Sequence, residues 1–241
     1  MSNLKVEVWW GPRAEALNEC AKRGANLLHR LQPLHPSFAQ WYEKAMSRKL
    51  ARESPVHDLS ASRLLPLMAA RQQTDTNGKN ILGFRWGVWN GADTEEASVS
   101  VSVKCGGYHE QVRWNSASVG LPDEGILDPI TTPSGVKPVL AALIATYEPE
   151  WGLVSNLLIF RATKDLLLEH KPCVGWMTWL RGPALPAGGP VDGLGDDATV
   201  EPFEGGALIT LGQRPMHHDN PEDIARIRDA WLKLREAGYP L

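Results

Sequence analysis

The stretch from Ile81 to Asn115 constrains this chain more than any other. Ser98 to Val103 alternates serine and valine without a break. A period of two fits a strand and not a helix: Val99, Val101 and Val103 fall on one face and the serines on the other. Upstream, Phe84, Trp86 and Val88 share a face, with Arg85 and Trp89 opposite. Asn90-Gly91 between the two runs supplies residues that tolerate positive φ. The expected unit is a half-buried antiparallel hairpin with helices packed on its valine face.

Taken in order, Leu4 to Trp10 alternates apolar and charged residues and reads as a first strand, ended by Gly11-Pro12. From Arg13 to Leu31 the residues Leu17, Cys20, Ala21, Gly24, Leu27, Leu28 and Leu31 recur at helical spacing, and Pro12 suits the first turn. A short helix is expected around Phe38 to Ala45, and a loop or brief capped turn over Ser47 to Val56. A further helix, capped by Asp58 or Ser60, runs through Met68 and is kinked or shortened by Pro66. Gln111 to Trp114 reads as a third strand. Leu121 to Gly135 is a long acidic loop, and Pro138 opens a helix that Glu148-Pro149 closes. Trp151 to Ser155 reads as a strand, and Asn156 to Leu168 as strand giving way to helix near Thr163. Val174 to Leu180 is another strand, followed by a Gly/Pro-rich loop to Ala198. A second hairpin, Val200 to Phe203 and Ala207 to Leu211, turns on Glu204-Gly205-Gly206. The last helix has Asp219 or Asn220 as its cap, Pro221 in its first turn and a stripe of Ile224, Ile227, Trp231 and Leu234.

The expected class is α+β: a mainly antiparallel sheet with helices packed on one side. A faint echo of strand, turn, strand and helix at 81–148 and 174–237 would be explained by two related ββα halves. With 241 residues and no Gly/Ser or Pro-repeat linker, the whole of 1–241 is expected to form a single domain.

Charge and cysteine content narrow the function. A net charge of −3 and a pI near 6.2 argue against direct nucleic-acid binding, which requires a basic face. The opening residues read as a strand and not as a signal peptide, and no apolar run is long enough to span a bilayer, so a cytoplasmic chain is expected. The three cysteines, Cys20, Cys105 and Cys173, are odd in number and far apart, which fits inert thiols and neither a disulfide framework nor a zinc knuckle. Trp outnumbers Tyr and Phe together, 10 against 4 and 4; indoles of this kind serve mostly as core with their N–H satisfied, and otherwise as binding anchors.

No Gly-x-Ser-x-Gly elbow, phosphate loop, dinucleotide fingerprint or His-Glu-x-x-His is present. His217-His218-Asp219 has metal-ligand chemistry and leaves open a metal-dependent hydrolase. Adjacent histidines on a strand point to opposite faces, however, and a helix cap claims the third position. No cofactor is expected, and nothing in the residues demands an enzyme. The acidic loops suit a basic partner, whose encounter they would steer. The candidate contacts are Asp93, Glu95, Glu96, Asp123, Glu124, Asp196, Asp197, Glu201 and Glu204; the alternative is that they only solubilise the chain.

One ordered series of residues carries a family resemblance. It runs from Trp9, Trp10 and Arg13 through Cys20, Arg23, Pro36, Trp41-Tyr42, Ser47-Arg48, Ala51 and Pro55-Val56. It continues with Trp89-Asn90-Gly91, Pro149 to Trp151 and Gly175-Trp176, and ends in a Gly-rich strand before the C-terminal helix. In this the chain resembles the bacterial immunity protein 52 family over nearly its whole length. The resemblance implies a stoichiometric, non-enzymatic inhibitor of a polymorphic toxin delivered between bacteria, notably one with a restriction-endonuclease-like nuclease domain. A scaffold subunit of a secretion machine is the remaining alternative. Whether the protein is a monomer or a dimer stays open.

Overall fold

A computed structural model describes all residues except 1–3, 79–80, 95, 111, 123–124, 128, 167–170, 183–193 and 196. It contains an antiparallel sheet of ten strands and six α-helices among the described residues, the α+β arrangement expected. The strands are β1 (Leu4–Trp10), β2 (Tyr42–Glu43), β3 (Gln72–Gln73), β4 (Gly83–Trp89), β5 (Ser100–Cys105), β6 (Asn115–Gly120), β7 (Trp151–Asn156), β8 (Met177–Arg181), β9 (Thr199–Phe203) and β10 (Gly206–Thr210). Their order is β2-β4-β5-β6-β1-β7-β8-β10-β9, with β3 also pairing β4. The first strand of the chain is therefore the middle of the sheet, between β6 and β7.

Alternation in β1 sorts the two faces. Leu4, Val6, Val8 and Trp10 are buried, while Lys5, Glu7 and Trp9 are partly exposed. Directly opposed residues share a face. Val6 lies against Val119 and Val154, and Val119 against Val101. This apolar face is covered by α1 (Leu17–Leu31), α3 (Ala61–Ala69) and α4 (Pro133–Tyr147). Gly24 of α1 meets Trp86 and Met68 so closely that a Cβ there would stand 2.7 Å from the indole. Its missing side chain is what lets helix and sheet approach. The C-terminal end of α4 is fixed electrostatically. Arg23 donates to the Thr146 carbonyl at 2.6 Å and Arg13 to that of Tyr147 at 3.1 Å, where the helix dipole is negative. Glu15, 7% exposed in its side chain, pairs with both arginines.

Caps explain several boundaries. Ser60 is the N-cap of α3, itself supported by Asp58, and Asn220 caps α6 (Pro221–Glu236). Gly91 takes a φ of 72°, and the Asn90 side chain holds the turn by accepting from Val99 N–H at 3.0 Å. The three cysteines are buried and free.

Other expectations are corrected. The first helix begins at Leu17, not in the Pro12–Arg13 turn. Phe38 to Ala45 holds no α-helix: Pro36–Phe38 is a 3-10 turn and Tyr42–Glu43 pairs with β4 as an edge strand. A capped helix, α2 (Arg48–Arg52), occupies the stretch after Ser47. The third strand of the meander is Asn115–Gly120 and not Gln111 to Trp114. Helix α4 begins five residues before Pro138, because Thr132 caps it and Pro133 fits its first position. Asn156 caps α5 (Leu157–Ala162), so the expected strand continuation is a helix from its first residue. Eight of the ten tryptophans are buried and thus serve as core. Among the described residues the indole N–H groups of Trp10, Trp41, Trp86, Trp89 and Trp151 nevertheless find no acceptor, against the expectation of satisfied N–H groups. The two ββα stretches share their sequence of elements but not their strand order, since β10 lies between β8 and β9 whereas β4, β5 and β6 are consecutive neighbours. Among the described residues no helix is long and apolar enough to cross a membrane.

Candidate functional site

Helices close one face of the sheet; among the described residues the other face is open over β4, β5, β6 and β1. Its residues follow from register. Glu7 lies opposite Ser118, which lies opposite Ser102, which lies opposite Gly87. One position along, Arg85 opposes Lys104, and Lys104 opposes Ser116. Hydroxyls and glycine keep the middle of this face low, and long charged side chains rise around it. Lys44, just after β2, reaches over the sheet to donate to Ser102 Oγ at 2.7 Å. Gly87 makes that reach possible, since a Cβ there would stand 3.3 Å from the ammonium and 2.7 Å from the Val101 carbonyl. The result is a groove of about 450 Å³ lined by Lys5, Glu7, Lys44, Arg71, Arg85 and Lys104 over a floor of serines.

Five cations and a single carboxylate converge there. Among the described residues none of the five is in an ion pair, whereas Arg13, Arg23, Arg52, Arg63, Lys137, Arg214, Arg226 and Arg228 all are. Burial, and after it crowding, shows in the titration. Burial, then Lys5 and Arg71, hold the Lys44 pKa below its ordinary value; burial, then Arg85, do so for Lys104. Burial raises the Glu7 carboxyl, against the opposing pull of Lys5. Next to the groove, sharing Lys5 and Glu7, is a smaller cleft of about 210 Å³ with Trp9, Leu153, Leu157 and Phe160. Leu157 and Phe160 are 50% and 40% exposed. Trp9 stacks on Trp151 at 3.9 Å, and Trp114 meets Trp151 edge-on. Open cations thus adjoin an aromatic shelf.

Glu7 yields a pH prediction. A raised folded pKa means that the native protein holds this proton more tightly than the unfolded chain. Its contribution is therefore favourable in acid and is lost as pH rises from the ordinary glutamate value, about 4.3, through the raised one. Glu7→Gln is expected to raise the melting temperature at pH 7 and to flatten the decline above pH 4.5. Thermal melts from pH 4 to 7.5 check this, and an unchanged or lowered melting point at pH 7 would contradict it.

The acidic residues singled out from sequence lie elsewhere. Asp93 and Glu96 sit in the β4–β5 connection, whereas Glu201 and Glu204 belong to the β9 edge and its turn, with Asp197 just before it. Six strand spacings, roughly 30 Å, separate the two groups. Three of the five already face internal cations. Asp93 pairs with Arg52 at 2.6 Å, Glu201 with Lys137 at 2.5 Å, and Asp197 with Arg226, which holds the Asp197 carboxyl below the usual range. Glu96 is lowered by its own N–H and the Thr94 hydroxyl, and Glu204 is exposed with a φ of 44°. Glu95, Asp123, Glu124 and Asp196 lie outside the described residues.

Around His217-His218-Asp219, the cap is Asn220, and the His217 N–H donates to Asp223 Oδ2 at 2.8 Å. Among the described residues no group of three or more His, Cys, Asp or Glu is placed to hold a metal. The groove residues Lys5, Glu7, Lys44, Arg71, Arg85 and Lys104 were not picked out from sequence. Their one local signal, charge at the polar positions of alternating strands, is also that of any solvated face.

None of the curated proteins compared matches the chain. Among solved structures it is similar to one described as Pseudomonas aeruginosa T6SS protein PA0821, with a TM-score of 0.52 and 14% identity, over 99% of this chain and 72% of that one. At that identity the likeness is one of fold. A family model described as immunity protein 52 matches residues 4–240. A match that spans nearly the whole chain decides the family: this protein is a member of the immunity protein 52 family.

Proposed function

We propose that this chain protects the cell that makes it by forming a stoichiometric complex with a cognate antibacterial toxin in the cytoplasm, with no turnover and no cofactor. The family match over residues 4–240 carries the reading. The open sheet face supports it physically, because it sets desolvated charge beside half-exposed aromatic surface, the composition of a protein interface. A nuclease-type toxin is the specific form we favour, following the resemblance to inhibitors of restriction-endonuclease-like toxins. Such a toxin presents cations to phosphates. The acidic residues Asp93, Glu95, Glu96, Asp123, Glu124, Asp196, Asp197, Glu201 and Glu204 would steer its approach more than anchor it.

The test is coexpression with candidate toxin domains drawn from the neighbouring reading frames of the host. The expected result is rescue of growth and a complex of fixed stoichiometry by light scattering. Failure to protect, together with turnover of a substrate by the purified chain alone, would reject the reading.

A further inference from the structure

We propose that the serine-floored groove between β4 and β1 is the surface that grips the toxin, and that it takes an acidic segment of that protein with an apolar residue seated on the adjoining Trp9, Leu157 and Phe160 shelf. This rests on the toxin-binding reading above and names the surface and the chemistry of what it meets.

Charge complementarity is the first argument. Lys5, Lys44, Arg71, Arg85 and Lys104 are in no ion pair among the described residues of a chain whose net charge is −3 and in which at least seven other arginines pair with carboxylates. The second argument is energetic. Arg85 and Lys104 are directly opposed across β4 and β5. Like charges in that position destabilise a sheet, and Lys44 and Lys104 are held below their ordinary pKa first by burial and then by neighbouring cations, Lys5 and Arg71 for Lys44 and Arg85 for Lys104. The repulsion between these cations costs the fold stability, whereas a partner carboxylate would relieve it. Strained charge of this kind is what a binding surface retains at the expense of stability.

The groove fits an acidic polypeptide better than a phosphate chain. Its cations span only three strand spacings, about 15 Å. Glu7 stands among them and would repel a run of phosphodiesters while matching a lysine or arginine flanking the partner's acids. The neighbouring shelf offers a hydrophobic pocket to one anchoring side chain.

The double variant Arg85→Gln/Lys104→Gln tests this, titrated against the same toxin domain by calorimetry. The expected result is affinity lower by roughly tenfold to a hundredfold, with a melting temperature equal to or above that of the parent. A variant that merely unfolded would lose both. Poly-L-glutamate should compete with the toxin domain, and short duplex DNA should not. Parental affinity in the variant, or stronger competition by DNA than by poly-L-glutamate, overturns the proposal. If the parent itself fails to bind the toxin domain, the functional reading above fails instead. Direct retention of poly-L-glutamate by the parent and not by the variant then still judges the groove.

Discussion

Asn115→Ala is expected to destabilise the protein by about 3–4 kcal/mol, far more than removing a polar side chain from a surface would. Asn115 is fully buried. Its Nδ2 donates to the carbonyls of Gly11 at 2.9 Å and Gly107 at 3.0 Å, and its Oδ1 accepts from the Gly107 N–H at 3.0 Å. One side chain thus joins the end of β1, the turn after β5 and the start of β6. Alanine would leave the Gly107 N–H and the Gly11 carbonyl without the side-chain partner each has now. The Gly107 carbonyl keeps the Arg13 N–H at 2.9 Å. The orphaned, buried Gly107 N–H costs about 1–3 kcal/mol beyond the net worth of the lost bonds, and the partly buried Gly11 carbonyl adds less. Asn115→Asp should be at least as harmful, since a carboxylate would face two carbonyl oxygens. Urea unfolding checks this: the midpoint should fall at nearly constant slope. A loss under about 1 kcal/mol would mean that these segments are held by packing alone. The same anchor serves the proposed groove, because Ser116 and Ser118 follow Asn115 along β6 and form part of its floor.

Asn115 also marks where the sequence was hard to read. It opens β6, Asn-Ser-Ala-Ser-Val-Gly, whose small residues give a weak alternation beside the valines of β5. Burial of Asn115, Ala117 and Val119 comes from the helix layer and not from any strong local preference. Where the apolar contrast was large, as in β1, β4 and β5, alternation located the strands, whereas the β9–β10 hairpin was legible from its Glu204-Gly205-Gly206 turn. Helix α6 was legible for a different reason: Asn220, Pro221 and the acidic first turn are start signals that act locally. Helix α4 began where Thr132-Pro133 permits, but the later Pro138 looked like the better start, since a proline in the first turn is tolerated and one within a helix usually is not.

The groove was legible only in fragments. Alternation put Lys5, Glu7, Arg85 and Lys104 on the polar sides of their strands, as on any wetted sheet. That they meet depends on strand order β4-β5-β6-β1, which inserts the first strand of the chain beside the sixth. Lys44 and Arg71 join from the ends of short elements whose placement no periodicity announces. The acidic candidates, by contrast, came from loop composition, which says that a charge is exposed but not what stands next to it. Arg52, Lys137 and Arg226 supply that missing half for Asp93, Glu201 and Asp197.

Trp176→Ala is expected to have the largest effect of any single replacement at the β8 end, about 3–5 kcal/mol. The indole is fully buried, and its Nε1 donates to the Gly212 carbonyl at 2.9 Å. The Trp176 carbonyl accepts from the Leu211 N–H at 2.9 Å, a backbone bond that substitution leaves in place. The loss therefore divides into volume and one side-chain bond. Trp176→Phe separates them: it keeps most of the ring and removes the donor, so it should lose about 1–2 kcal/mol. Gly212 leads through Arg214, which grips Asp223 of α6 with both terminal nitrogens, at 2.8 and 3.0 Å. The two variants should thus differ in local as well as global stability. In Trp176→Ala, hydrogen exchange at the start of α6 should quicken along with that of β8 and β10, whereas in Trp176→Phe it should stay near the parental rate. Equal losses in the two variants would show that the hydrogen bond to Gly212, and not the space the indole fills, secures this end of the sheet.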